Sequence, residues 1–152
     1  MRTIKDTVNR LIKTCGTNDP FEIAAQKNVL VLFEPLGNIL GYYTTYKRIP
    51  IIHINQDSDE SEQRYTCGHE LGHLFLHPKV NTPFLRKNTL FSIDRIEREA
   101  NQFAVELLIP DYLIQEYRHT PMTLNEAASI YGVPQEMVNL KQLSQSPSRW
   151  GK

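Results

Sequence analysis

His69-Glu70-Leu71-Gly72-His73 is an H-E-x-x-H segment, and its residue types at that spacing are equipped for metal chemistry. On a helix, imidazoles four residues apart share one face, about 6 Å apart along the axis. That is close enough for both to grip one divalent ion at about 2.0–2.1 Å. Glu70 falls on the flank of the same face, where its carboxylate can take a proton from a water that the ion activates. The chemistry implied is metal-assisted hydrolysis. An amphipathic helix with solvated or core-satisfied histidines would carry the same letters, so the decision rests on a third ligand.

A hydrolytic zinc site takes three protein ligands. His77 continues the four-residue series but lies about 12 Å from His69 along the helix, too far for both to bind one ion. The longer H-E-x-x-H-x-x-G-x-x-H arrangement is absent, because Leu76 stands at its glycine and Lys79 at its third histidine. The acid-bearing stretch that follows offers Glu97, Glu99 and Asp94. Glu97 shares a helix face with Asn101 and Ala104, beside an apolar stripe of Ile96, Ala100, Phe103 and Leu107, while Glu99 points nearly the opposite way. Glu97 is the best placed of the three, although each could equally be a solvated helix-face acid. Asn101, one turn further on, could bond the free ring nitrogen of a ligand histidine and fix its tautomer. Ala100 and Ala104 would let the two helices approach closely.

The elements that must position these groups follow from periodicity and punctuation. Apolar residues Ile4, Val8, Leu11 and Ile12 predict a helix over 3–15, stopped by Gly16, and Asp19-Pro20 opens a second, short helix. Strands are predicted at 29–33, 41–46 and 49–55, forming a small antiparallel sheet. The acidic cluster Asp57, Asp59, Glu60 and Glu62 suits the positive end of a helix over 59–76, closed by His77-Pro78. Residues 81–88 read as a loop, and helices are predicted over 92–109, 111–117, 124–131 and 135–143. The order helix, small sheet, helices implies an α+β domain over 1–143, including a C-terminal helical segment from about 121 to 143. The polar tail 144–152 is expected to be flexible.

Composition bounds the partners. The chain has 152 residues with 17 basic and 17 acidic side chains, so no global field draws in phosphate backbones or anionic lipid. The longest apolar run, 29–33, is far short of the roughly 20 residues that cross a bilayer. Polar residues interrupt the N-terminal segment, so a secretory leader is not expected. Two cysteines, Cys15 and Cys67, are too few for a disulfide framework, and a reducing cytoplasmic setting is expected.

One segment, 124–138, has the small residue, turn glycine and later apolar position of a helix-turn-helix, which would make the chain a DNA-binding regulator. In the would-be recognition stretch, 135–142, Lys141 is offset by Glu136, however, and nucleic acid is not the expected partner. A non-catalytic zinc-binding interaction protein is a further alternative. For an enzyme, Tyr42, Tyr43, Tyr65, His53 and His119 are candidates to stabilise an oxyanion, and no spacing argument separates them. An extended peptide could add as a strand to the sheet edge.

Tyr65-Thr66-Cys67-Gly68-His69-Glu70-Leu71-Gly72-His73-Leu74-Phe75-Leu76-His77, followed by Glu97-Arg98-Glu99-Ala100-Asn101-Gln102-Phe103-Ala104-Val105-Glu106-Leu107-Leu108-Ile109-Pro110, closely resembles the ImmA/IrrE family of zinc metallopeptidases. Two separate motifs carry the resemblance, in the right order, across about residues 49–110. It implies a minimal zincin-like fold, zinc held by His69, His73 and Glu97 in a gluzincin-like set, and Glu70 as the base. It also favours Glu97 over Glu99, since the family's ligand precedes the Ala-Asn pair by three residues. Such proteins often sit in mobile elements or stress operons and cleave a helix-turn-helix repressor, which would be the protein substrate here. The length is expected to accommodate this core and a few trailing helices without a separate sensor domain.

Overall fold

The computed structural model describes residues 2–87 and 94–141. Helices begin where a short polar side chain satisfies free backbone donors, a contribution of about 1 kcal/mol each. Thr3 opens α1 (Ile4–Cys15) in a reciprocal box with Asp6, and Gly16 closes it at φ 73°. Asp19 caps α2 (Pro20–Gln26), whose first position is the proline. The acidic run before the H-E-x-x-H segment is a second reciprocal box: Asp59 accepts from the Glu62 amide at 2.8 Å and Glu62 reaches back, opening α3 (Glu60–Leu76). Asp94 caps α4 (Arg95–Leu108), α5 (Asp111–Tyr117) follows Pro110, and Thr123 boxes with Glu126 to open α6 (Leu124–Ile130).

The strands are β1 (Leu30–Glu34), β2 (Ile39–Tyr46), β3 (Ile49–Asn55) and β4 (Leu85–Arg86), in the order β1-β3-β2-β4. The sheet is mixed, which corrects the expectation of an antiparallel one: β1 runs parallel to β3, while β2 is antiparallel to both its neighbours. The turn residues after β1 do not close a hairpin. The chain crosses one strand position instead, and the buried Asn55 side chain holds the crossover by donating to the carbonyls of Gly37 (2.9 Å) and Ile39 (3.0 Å). The true hairpin is β2–β3, turned by Lys47 and Arg48 at φ 50° and 69°. Neither is glycine or asparagine, so the turn costs about 1–2 kcal/mol per residue. β4 is a strand inside the predicted 81–88 loop, too short to show a period in sequence.

All of 65–73 is buried, so α3 is enclosed rather than amphipathic. It packs against β2 and β3 on one side and α4 and α2 on others. Ile52 and Ile54 of β3, Leu71 of α3, Phe103 and Leu107 of α4, and Val8 and Leu11 of α1 share one apolar cluster. A second cluster joins Tyr65, Ala104 and Leu108 to Ala127, Ala128, Val133, Met137 and Val138, so the C-terminal segment packs onto the helix pair. Its last helix is a 3-10 helix, Gln135–Leu140, not the longer helix predicted over 135–143. Residues 88, 92–93 and 142–152 of the predicted loop, helices and tail lie outside the described residues.

Candidate metal centre

His69 and His73 project from the buried middle of α3, and Glu97 and Asn101 from the facing side of α4. Small residues bring the two helices together: Gly68 faces Ala104 and Gly72 faces Ala100. Glu97 Oε1 lies 3.1 Å from His69 Nε2, and Glu97 Oε2 lies 3.0 Å from His73 Nε2. Ligand atoms of His69, His73 and Glu97 all fall within 4.8 Å of one another, the one such cluster of three among the described residues. Burial opposes Glu97 ionisation, but the hydrogen bond with His69, the closeness of His73 and their charges hold its carboxyl down at about 2. It is therefore an anion facing two imidazoles.

The fit to a divalent cation rests on unsatisfied atoms. Both carboxylate oxygens of Glu70 are buried with no hydrogen-bond partner among the described residues, and His73 Nε2 and Glu97 Oε2, equally buried, have only their 3.0 Å approach to each other. Buried polar atoms left in that state are costly, so the Glu70 carboxyl, which feels the charges of His73 and Glu97, and the His73–Glu97 pair fit a place built for a ligand. Two imidazoles and one carboxylate suit a zinc-like ion. Glu70 is fully buried, and that burial pushes its carboxyl up to about 8, with His73 opposing and the Glu97 charge adding.

Around this cluster the sequence-derived candidates separate. Asn101 Oδ1 accepts from the Tyr65 hydroxyl at 2.8 Å and lies 2.9 Å from His69 Nδ1, so Tyr65 is engaged with Asn101. Asp94 caps α4 by accepting from the Ile96 amide at 2.9 Å. Glu99 lies 2.7 Å from His77 Nε2, and His77 Nδ1 lies 3.2 Å from His73 Nδ1. Sequence reasoning discarded His77 as a ligand to the same ion and had no role for it; its four-residue spacing from His73 was the available signal. His53 is held by Glu34 (2.7 Å) and Thr44 (2.8 Å) and stacks on Tyr42, on the sheet face away from Ile52 and Ile54. His119 is exposed. Tyr43 alternates onto the helix-facing side with Gly41, which abuts Thr66, and burial and the Glu70 charge raise its hydroxyl pKa.

The helix-turn-helix reading loses its recognition helix. Met137 and Val138 are in the core, and Lys141 Nζ, fully buried, pairs with Glu106 (2.7 Å) and Asp111 (2.8 Å) rather than facing solvent. Among the described residues no helix is long and apolar enough to cross a membrane.

The family model described as the IrrE N-terminal-like domain, Peptidase M78, matches residues 24–142. An "uncharacterized immunity region protein 2" of Bacillus phage phi105 is 46% identical over 143 residues, covering 93% of this chain and 90% of its own length. Metallopeptidase ImmA of Bacillus subtilis (strain 168) is 35% identical over 115 residues, 74% of this chain and 67% of its own. With a matched domain that spans both α3 and α4, the chain belongs to the ImmA/IrrE family of metallopeptidases.

Proposed function

We propose that the protein is a cytoplasmic zinc-dependent endopeptidase, gluzincin-like in its H-E-x-x-H plus Glu set, that cuts a helix-turn-helix transcriptional repressor encoded in the same phage-like or mobile-element operon. One observation carries the chemistry: buried His69, His73 and Glu97 converge beside two unpartnered oxygens of Glu70. The similarity to an immunity-region protein and to ImmA supports a regulatory protein substrate. The residues 1–143 act as one peptidase domain, since the C-terminal segment shares a core with α3 and α4.

In this reading His69 Nε2, His73 Nε2 and a Glu97 oxygen hold the ion, and Asn101 orients His69. A bound zinc supplies Lewis acidity, acidifying water toward pKa about 7 and polarising a peptide carbonyl. Glu70 is the proton carrier. Its carboxylate accepts the proton of the attacking water and returns it to the leaving amine. Burial keeps it from bonding elsewhere and raises its basicity, which suits both halves of that task. Tyr43 is the candidate oxyanion donor, because it alone among the five considered shares the helix-facing side of the sheet and feels the Glu70 charge. β4 pairs with β2 only at Ile39 and Gly41, so a substrate strand can add alongside the rest of β2.

Metal content tests the site. The wild type is expected to hold one zinc per chain, and His69→Ala, His73→Ala and Glu97→Gln to lose it together with cleavage of the neighbouring repressor. Stoichiometric zinc retained by folded His69→Ala would contradict the assignment.

A further inference from the structure

We propose that His77 and Glu99 form a relay that locks His73 in its metal-binding tautomer and so sets the affinity of the site. The proposal rests on the reading of His69, His73 and Glu97 as ligands. His77 Nε2 lies 2.7 Å from Glu99 Oε1, and His77 Nδ1 lies 3.2 Å from His73 Nδ1. A carboxylate only accepts, so the hydrogen between His77 and Glu99 sits on His77 Nε2. The neutral ring then offers a lone pair at Nδ1. Two ring nitrogens bond only when one carries hydrogen, so His73 donates from Nδ1. With an ion held by His73 Nε2 and Glu97, whose Oε2 stands 3.0 Å from that nitrogen, this leaves Nε2 free of hydrogen and able to ligate. The opposite arrangement would place the His73 hydrogen on Nε2 and block ligation.

The two ligand histidines are thus oriented by different devices. His69 meets a neutral carboxamide oxygen, which is shared with Tyr65. His73 meets a carboxylate through an intervening imidazole, and that negative charge raises its strength as a ligand. His77 is 8% exposed, whereas the Glu99 side chain is 30% exposed and pairs with Arg95 at 3.3 Å, so the relay runs from the buried ligand to the surface.

The test is zinc affinity by chelator competition on the full chain, for wild type, His77→Leu, His77→Asn and Glu99→Leu, with thermal unfolding as the check on folding. Loss of an outer partner of this kind lowers metal affinity about 10–100-fold, and that loss is expected for His77→Leu. His77→Asn, whose side-chain oxygen can stand near the lost Nδ1, is expected to recover most of it. Glu99→Leu should fall between the two, and its partly exposed site keeps the test open even if His77→Leu does not fold. Nitrogen-15 spectra of the zinc-loaded protein should place the His73 hydrogen on Nδ1. Wild-type affinity in Glu99→Leu or His77→Leu, or no recovery in His77→Asn, would overturn the relay alone. A wild type that binds no zinc would overturn the site and the relay together.

Discussion

Gly72 of α3 lies directly against the backbone of Ala100 on α4: a Cβ built on Gly72 would stand 3.1 Å from the Ala100 α-carbon and carbonyl oxygen and 3.0 Å from the Phe103 Cβ. The helix that carries both histidines therefore meets the helix that carries Glu97 with no side chain of its own at Gly72. That closeness lets a carboxylate three residues before Ala100 reach both imidazoles.

Gly72→Ala should separate the helices. Overpacking of this kind costs about 1–3 kcal/mol, and the outward shift of α4 should weaken zinc binding as well. Gly68→Ala, whose Cβ would meet Ala104 Cβ at 3.4 Å, should cost less. Urea unfolding and zinc titration of both variants check this; equal effects would contradict it.

Asn101 serves two buried donors at once. Asn101→Leu leaves the Tyr65 hydroxyl and His69 Nδ1 without their shared acceptor. Each orphaned group costs about 1–3 kcal/mol, and zinc affinity should fall about 10–100-fold. Tyr65→Phe removes one donor and leaves His69 oriented, so it should lose stability with little change in affinity. A double-mutant cycle read by unfolding and zinc competition separates the two roles.

The buried Glu70 makes stability of the metal-free protein depend on pH. Burial raises its carboxyl from 4.5 to about 8, against the His73 contribution and with that of Glu97. A carboxyl with a raised pKa in the folded state contributes stability that is complete below its unfolded value of 4.5 and is lost as pH rises through about 8. Glu70→Gln cannot lose it. Chelator-treated wild type should therefore weaken relative to Glu70→Gln between about pH 5 and 9, as read from urea midpoints. A difference constant with pH would contradict the burial argument.

Tyr43→Phe isolates the oxyanion role. The Tyr43 hydroxyl lies 3.5 Å from the Val80 carbonyl, the outer limit of a hydrogen bond, so little holds it away from a substrate. Losing one such donor costs about 10²–10³ in kcat. That loss is expected with KM and zinc content nearly unchanged. An unchanged kcat would remove Tyr43 from the reaction.

The cluster of His69, His73 and Glu97 was legible because helical spacing is a local property. His69 and His73 share a face by arithmetic alone, and Glu97, Asn101 and Ala104 do so on the second helix. The acidic start of α3 and the stop at Gly16 were equally local. What escaped depends on long-range pairing. The parallel β1–β3 pairing goes with a crossover that Asn55 holds by donating to the Gly37 and Ile39 carbonyls, 18 and 16 residues away, and β4 is too short to carry a period. His77 and Glu99 show the same limit, since neither has a role until the helices are laid together. Lys141 reads as a surface cation in sequence because nothing local reveals Glu106 and Asp111 beside it.

The most direct test of the central claim is cleavage of the proposed substrate, a helix-turn-helix repressor of the same operon, by zinc-loaded wild type and Glu70→Gln. Removing a general base of this kind costs about 10²–10⁴ in rate, so the variant should keep one zinc per chain and lose at least that lower factor in kcat/KM. Cleavage by zinc-loaded Glu70→Gln at the wild-type rate would contradict the assignment of Glu70 and the hydrolytic mechanism built on it.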